Sequence, residues 1–253
     1  MSARLAFAEW EPIYEAILAD LGFDRGADER ARDVAAEIVS GGGSVGTDTD
    51  SDRTRDVAAG LEATLGGATV CVVGAAPSLA SELSVFDPGS VDAIVAASTA
   101  VDVLAGRGID VDCMVTDLDK NVRTACELTR RGVPVAAHAH GDNVPALRTW
   151  LPRFDHAATL VTTQAEPRGP IRNVGGFTDG DRAAFLADAC GADALRFVGW
   201  DFEDPGVDPL KARKLRWAEH LLYWLETRRE ERFDVLDGRR EGLTTALASV
   251  RTD

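Results

Sequence analysis

Two aspartates one residue apart, Asp117 and Asp119, stand in the segment TDLDK (Thr116 to Lys120), where an apolar run gives out. Carboxylates so placed can share a hard cation through oxygen ligands, and magnesium there would keep several waters and bridge the phosphates of a substrate. Lys120 follows as a point charge for the same phosphates. The plain alternative is a loop of solvated aspartates in an acidic chain; the position at the end of an apolar run favours the metal. HAHGDN (His138 to Asn143) gathers two imidazoles, a carboxylate (Asp142) and an amide (Asn143) around Gly141. His138 and His140 are two apart, so a strand aims both to one face. That suits hydrogen bonding, acid–base work or metal ligation, but zinc is disfavoured because no third soft ligand accompanies the pair.

In NVGGFTDGDRA (Asn173 to Ala183), Gly175 and Gly176 free the backbone, Thr178 or Asp179 can cap the following helix, and Arg182 sits in its first turns. One reading is a loop closing over a ligand, with Asp179 or Asp181 near the metal; the other is simply a well-capped helix start. GWDF (Gly199 to Phe202) sets Asp201 beside Trp200, an aromatic suited to a planar ring. GAAPSL (Gly74 to Leu79), with Ser78, can let backbone N–H groups approach a phosphate; it matches neither GxGxxG nor a P-loop, and the alternative is only a tight connection. Lys211 and Lys214 lie three apart on one helix side. The chain has three lysines in all, so two so placed invite a phosphate role; the alternative is ordinary helix surface.

These residues need a frame. Short, unalternated apolar runs occur at Thr69–Gly74, Asp92–Ser98, Asp112–Asp117, Pro134–His140, Ala158–Thr163 and Leu195–Phe202. Helical segments separate most of them: Ser98–Ala105, Val122–Arg131, Val144–Leu151 and Asp179–Cys190. That pattern predicts a parallel sheet covered on both faces, so the fold class is α/β, a Rossmann-like open, mostly parallel sheet. Each run ends in a candidate group: Gly74, Ser98, Asp117, His138 with His140, Thr163, and Asp201. Ligands of such sheets bind beyond the carboxyl ends of the strands. Before the sheet, Trp10, Ile13, Tyr14, Ile17, Leu18 and Leu21 recur at helical spacing. A second helix follows over Ala31–Val39, then a polar loop over Gly41–Asp52 and a third helix to Leu65. This N-terminal helical cap shows no obvious chemistry. Pro209–Glu231 reads as one long C-terminal helix. The expected division is 1–66 helical region, 67–205 catalytic domain and 206–253 helix and tail.

Composition narrows the partners. Forty-two acidic residues face 27 basic ones, a net charge of −15. Nucleic acid and anionic membranes both require basic patches, so neither is expected as a partner. No apolar run is long enough for a membrane span, and Met1–Trp10 lacks the features of a signal peptide, so a cytoplasmic location is expected. Cys71, Cys113, Cys126 and Cys190 show no pairing pattern, which argues against a disulfide framework or a zinc site. The acidic, lysine-poor surface fits a saline cytosol, where screening reduces self-repulsion; the bland alternative is a solvated acidic surface. The fold is therefore expected to melt at higher temperature as potassium chloride rises to the molar range. A melting temperature that is flat or falls would overturn that reading.

Taken together in this order, TDLDK, HAHGDN, GFTDGDRA and GWDF resemble the archaeal MptE-like 6-hydroxymethyl-7,8-dihydropterin pyrophosphokinases, a group related to the catalytic domain of thiamine pyrophosphokinases. The resemblance runs from about Ala68 to Leu222. It implies a Rossmann-like fold, ATP as diphosphate donor, a pterin acceptor, Mg2+ as cofactor and a step in folate or methanopterin-type biosynthesis. It also implies Asp117 and Asp119 as the metal and diphosphate pair. His138, His140, Asp142 and Asn143 would line the site, with Asp179, Asp181 and Arg182 facing them. One departure stands at AASTA (Ala96 to Ala100), where Ser98 and Thr99 replace the acidic residue and glycine of an Ala-Asp-Gly-type turn. A carboxylate role there is lost, although Ser98 can still hydrogen-bond a phosphate or ring. Thiamine pyrophosphokinase shares the chemistry with another acceptor. A nucleotide-sugar transferase shares the Asp-x-Asp, but the chain offers no second nucleotide-binding domain; a nucleotide-binding regulatory module would not need so many ionisable groups. The general base, the oligomeric state and the final pathway product stay open.

Overall fold

The computed structural model describes residues 5–41 and 48–243. Helix α1 (Phe7–Leu21) buries Trp10, Ile13, Tyr14, Ile17, Leu18 and Leu21, the stripe read from the sequence. Helix α2 (Arg25–Val39) starts ahead of the expected Ala31. Asp24 caps it by accepting from the Gly26 N–H at 3.0 Å, and Arg25 ties its first turn to Glu11 of α1 at 2.7 Å. Helix α3 (Asp48–Leu65) likewise begins before Asp52, inside the expected loop; residues 42–47 of that loop lie outside the described residues.

Thereafter strands and helices alternate: β1 (Thr69–Val73), α4 (Leu79–Glu82), β2 (Ala93–Ala97), α5 (Ala100–Ala105), β3 (Cys113–Thr116), α6 (Val122–Arg130), β4 (Val135–Ala139), α7 (Val144–Trp150), β5 (Thr159–Thr163), α8 (Asp179–Ala189), β6 (Ala194–Val198) and α9 (Pro209–Arg229). The six strands form one sheet in the order β5-β4-β3-β2-β1-β6. Every neighbouring pair is parallel, as the unalternated runs require. The strands are trimmed at the ends of their runs, β6 most of all: it stops at Val198 because Gly199 turns the chain with φ of 73°, leaving Trp200 and Asp201 in a loop.

Val70, Val72, Val95, Val115 and Leu160 face one apolar layer with Trp10, Leu61, Phe185 and Leu222, contributed by α1, α3, α8 and α9. Cys71, Val73, Ile94, Ala96, Met114 and Ala137 face the other, with Ala35, Leu79, Leu104, Ala125 and Leu147 from α2 and α4 to α7. Among the described residues no two cysteines are joined in a disulfide. Among the described residues no helix is long and apolar enough to cross a membrane. The chain proceeds outward from β1 through β2 to β5, then crosses back over α8 to add β6 on the far side of β1. Strand order therefore reverses at β1, and in open α/β sheets the crevice outside such a point is where ligands bind.

Candidate active site

A cleft of about 750 Å³ opens at the carboxyl ends of the strands. Gly74, Ser98, Asp117, Asp119, Lys120, His140, Asp142, Thr178, Asp179, Arg182, Asp201, Lys211 and Lys214 all line it. Thus all three lysines of this acidic chain meet the aspartate turn in one cavity. The start of α9 brings two of them: Asp208 caps that helix by accepting from the N–H groups of Leu210 and Lys211, each at 2.9 Å. Lys214 is half-buried, its Nζ 5.4 Å from the ring centre of Phe23 and 5.9 Å from that of Phe177. Burial, and then the charge of Arg182, lower its pKa.

The turn after β3 is built to present its carboxylates. Leu118 takes a left-handed φ of 65°, a conformation costly for a branched residue and held only where the surroundings impose it. Its side chain is anchored in the core at 2% exposure, while Asp117 and Asp119 on either side line the cleft. Asn143 clamps this turn to the end of β4. Its Nδ2 donates to the carbonyls of Asp117 and His138, both at 2.6 Å, and its Oδ1 accepts from the His140 N–H at 3.1 Å. Asn143→Ala should cost roughly 2–3 kcal/mol by leaving those carbonyls unmatched, measured as a loss of denaturant-unfolding free energy. A variant as stable as the parent would show that the clamp is dispensable.

Burial pushes the Asp119 carboxyl up to about 6, helped by the hydrogen bond and charge of Asp117. Burial acts on Asp117 too, but hydrogen bonds from His140 and Asp119 and the Arg182 charge outweigh it and hold Asp117 low. His140 Nε2 lies 3.6 Å from Asp117 Oδ2. Asp179 is pushed up to about 8, first by burial and then by the charge of Asp117, against the pull of Arg182. Close carboxylates that cannot all ionise are what a divalent cation relieves, so the donor set fits magnesium. Among the described residues no group of three or more His, Cys, Asp and Glu side chains is arranged to hold a metal. A two-carboxylate site completed by water and phosphate oxygens needs none.

Four residues expected in the site do not line the cleft. His138 is buried at 1% exposure and pairs through Nδ1 with Thr162 Oγ1 at 2.9 Å. Burial, then the Arg182 charge, keeps it neutral. Asp181 is buried at the start of α8, where its carboxylate accepts from the N–H groups of Phe177 and Thr178 and from the Thr178 hydroxyl. Of the two uses of this segment read from the sequence, Asp181 serves the helix start and Asp179 faces the cleft. Asn143 acts as the clamp just described, and the Ser78 hydroxyl is enclosed beside α4 without a hydrogen-bond partner among the described residues. Ser98, at the departure from the family pattern, is buried, and its hydroxyl donates to the Lys120 carbonyl at 3.4 Å. Trp200 is wedged at the β1–β6 junction, its Nε1 donating to the Val72 carbonyl at 3.0 Å.

The N-terminal helices, in which no chemistry was expected, supply a wall of the cleft: Phe23, Asp24, Ala27 and Asp28. Asp28 is 4% exposed. It accepts at 2.7 Å from Tyr14 Oη, from Gln164 Nε2 and from the Gly141 N–H. Gly141 is required here, since a Cβ would stand 2.6 Å from that of Ala27. Gln164 Oε1 in turn accepts from Arg182 Nη2 at 3.2 Å, and Arg182 Nη1 reaches Asp179 Oδ1 at 3.2 Å. A sequence signal existed: Asp28 shares the buried stripe of α2 with Ala31, Arg32, Ala35 and Ala36, where a carboxylate needs partners.

A family model described as "6-hydroxymethylpterin diphosphokinase MptE-like" matches residues 53–206. The chain belongs to the MptE-like family. Curated relatives of this MptE-like chain are each called 6-hydroxymethyl-7,8-dihydropterin pyrophosphokinase. That of Methanothermobacter thermautotrophicus is 35% identical over 243 residues, covering 89% of this chain and 97% of the relative. That of Pyrococcus furiosus is 33% identical over 238 residues, 88% and 95% of the two chains. That of Methanocaldococcus jannaschii is 28% identical over 246 residues, 89% and 98%. The MptE-like match covers the sheet and most of the cleft but leaves out Phe23, Asp28 and the lysines of α9.

Proposed function

We propose that the protein transfers a diphosphate group from ATP to the hydroxymethyl group of 6-hydroxymethyl-7,8-dihydropterin, releasing AMP. The relatives' names support the acceptor and the class of reaction. The observation that carries the reading is the meeting of Asp117, Asp119, Lys120, Lys211, Lys214 and Arg182 in one cleft of a strongly acidic chain. Such a set suits a polyphosphate and its counter-ion. Asp117 and Asp119 are the proposed holders of Mg2+, which when bound would neutralise charge on the transferring group. In the transfer, the acceptor oxygen bonds to the β-phosphorus, the bond from that phosphorus to the oxygen bridging to the α-phosphate breaks, and AMP leaves with that oxygen. The hydroxyl proton passes to a neighbouring base, for which Asp142 on the lip and His140 beside Asp117 are the candidates, or to solvent if orientation alone suffices. Incubation with ATP and a panel of acceptors tests the reading. AMP formed with the pterin and not with thiamine supports it, and turnover of thiamine or release of UDP from a sugar nucleotide overturns it.

The lysines of α9 carry a prediction of their own. Lys211→Ala and Lys214→Ala should each weaken ATP binding by about 1–3 kcal/mol, the range of a lost charge-assisted contact. Lys211 is exposed, so its loss should leave the melting temperature in place. Titration of each variant with ATP, paired with thermal melting, checks this. Unchanged affinity in both would leave the triphosphate to Lys120, Arg182 and the metal.

A further inference from the structure

Resting on the pterin-acceptor reading above, we propose that Asp28 reads the acceptor's ring, its carboxylate accepting an N–H from the 2-amino-4-oxopyrimidine edge. The argument starts from a count of acceptor positions. An ionised carboxylate offers about four, and protein donors fill three: Tyr14 Oη, Gln164 Nε2 and the Gly141 N–H, each at 2.7 Å. These donors come from α1, from the residue following β5 and from the turn after β4, so the carboxylate is fixed from three sides. All three are neutral, and among the described residues no cation pairs with Asp28. Yet Asp28 and Gln164 both line the cleft, which leaves the fourth acceptor position for a ligand.

The charge of this corner selects that ligand. An unneutralised carboxylate repels phosphate, so the triphosphate belongs with the lysines and the aspartate turn. A flat, uncharged ring with adjacent N–H donors matches an acceptor-only group, because a bond to a charged oxygen is stronger than one between neutral partners. Position agrees with chemistry. Gly141, bonded to Asp28, directly follows His140, whose Nε2 is 3.6 Å from Asp117 Oδ2. A ring held at Asp28 therefore has the aspartate turn beside it, where its hydroxymethyl arm must meet the diphosphate. Asp28 is in this account a specificity-determining residue supplied by the N-terminal helices.

The test is a set of binding titrations on the full-length protein, wild type and Asp28→Asn. The probes are the fluorescent oxidised 6-hydroxymethylpterin, its 2-oxo analogue 6-hydroxymethyllumazine, and a non-hydrolysable ATP analogue. The wild type should prefer the 2-amino ring at least tenfold. Asp28→Asn should weaken pterin binding at least tenfold and bring the ratio between the two rings toward one, with affinity for the ATP analogue unchanged. Pterin binding unaffected by the substitution, or an equal loss for pterin and nucleotide, overturns the assignment while leaving the acceptor reading intact. A wild type that binds the ATP analogue and no pterin overturns the acceptor reading itself, and the assignment with it. If Asp28→Asn does not fold, NMR on the wild type decides. The Gly141 amide should shift on adding pterin and not on adding the ATP analogue, and the reverse pattern refutes the proposal.

Discussion

Asp117→Asn and Asp119→Asn are each expected to lower turnover by roughly a hundredfold or more, and chelation of divalent cations to abolish it. A tenfold loss corresponds to about 1.4 kcal/mol of transition-state stabilisation. Removing one directly placed electrostatic group from a transferring centre costs about 3–4 kcal/mol. A second readout separates this from damage to the fold. Asp119 is raised to about 6 by burial and by Asp117, so its folded value lies above its unfolded one. Stability linked to it is present at acid pH and lost as pH rises through about 6. A neutral asparagine removes that penalty, so Asp119→Asn should melt no lower than the parent at pH 7 while losing activity. Initial rates with and without EDTA, together with melting curves, give both numbers. Near-normal rates in either variant, or full activity in EDTA, would remove these aspartates from metal binding.

The sheet was legible because burial on both faces leaves unalternated β-branched runs, and a parallel strand has few other ways to be read. The carboxyl-edge rule then located most of the cleft, since Gly74, Ser98, Asp117 and His140 each follow a strand directly and Asp201 stands in the loop after β6. What the sequence did not disclose depends on distance along the chain. Asp28 meets Gly141 and Gln164 only after residues more than a hundred positions apart are brought together, and no local period encodes that. His138 and His140 look alike in a two-residue repeat, yet one lies within β4 and the other just beyond it, so one is enclosed and the other reaches the cleft. Asp179 and Asp181 were likewise indistinguishable until helix geometry turned Asp181 back onto the N–H groups of Phe177 and Thr178, just ahead of α8. The start of α2 was hidden because polar residues obscured it, although Asp24 is a good cap.

Arg182→Met is expected to cost roughly 3 kcal/mol of stability at neutral pH, and more in alkali. The guanidinium is 5% exposed and bridges Asp179 and Gln164 through separate nitrogens, each at 3.2 Å. Breaking a buried pair by removing one partner costs about 3–5 kcal/mol; the low end applies because Asp179, raised to about 8, already holds its proton at neutral pH and is not left as a bare charge. Its carboxyl already lies near 8, raised by burial and by Asp117 and opposed by Arg182. Without the arginine it must rise further. In both proteins the linked stability is full in acid and declines from the ordinary carboxylate value of 3.8 upward. In the wild type that decline ends near pH 8, whereas in the variant it continues. The difference between them should therefore be steady from about pH 5 to 7.5 and widen above 8, which denaturant unfolding at a series of pH values measures. A difference that stays constant to pH 9.5 would show that Asp179 is not the group Arg182 holds. Arg182→Lys divides the two contributions. A single ammonium restores the charge beside Asp179 and so removes the alkaline widening, but it lacks the planar fork needed to bridge to Gln164 as well. Gln164, without its bond from Arg182, would be held less firmly against Asp28, so this variant should bind ATP nearly as the parent does while binding the pterin less tightly.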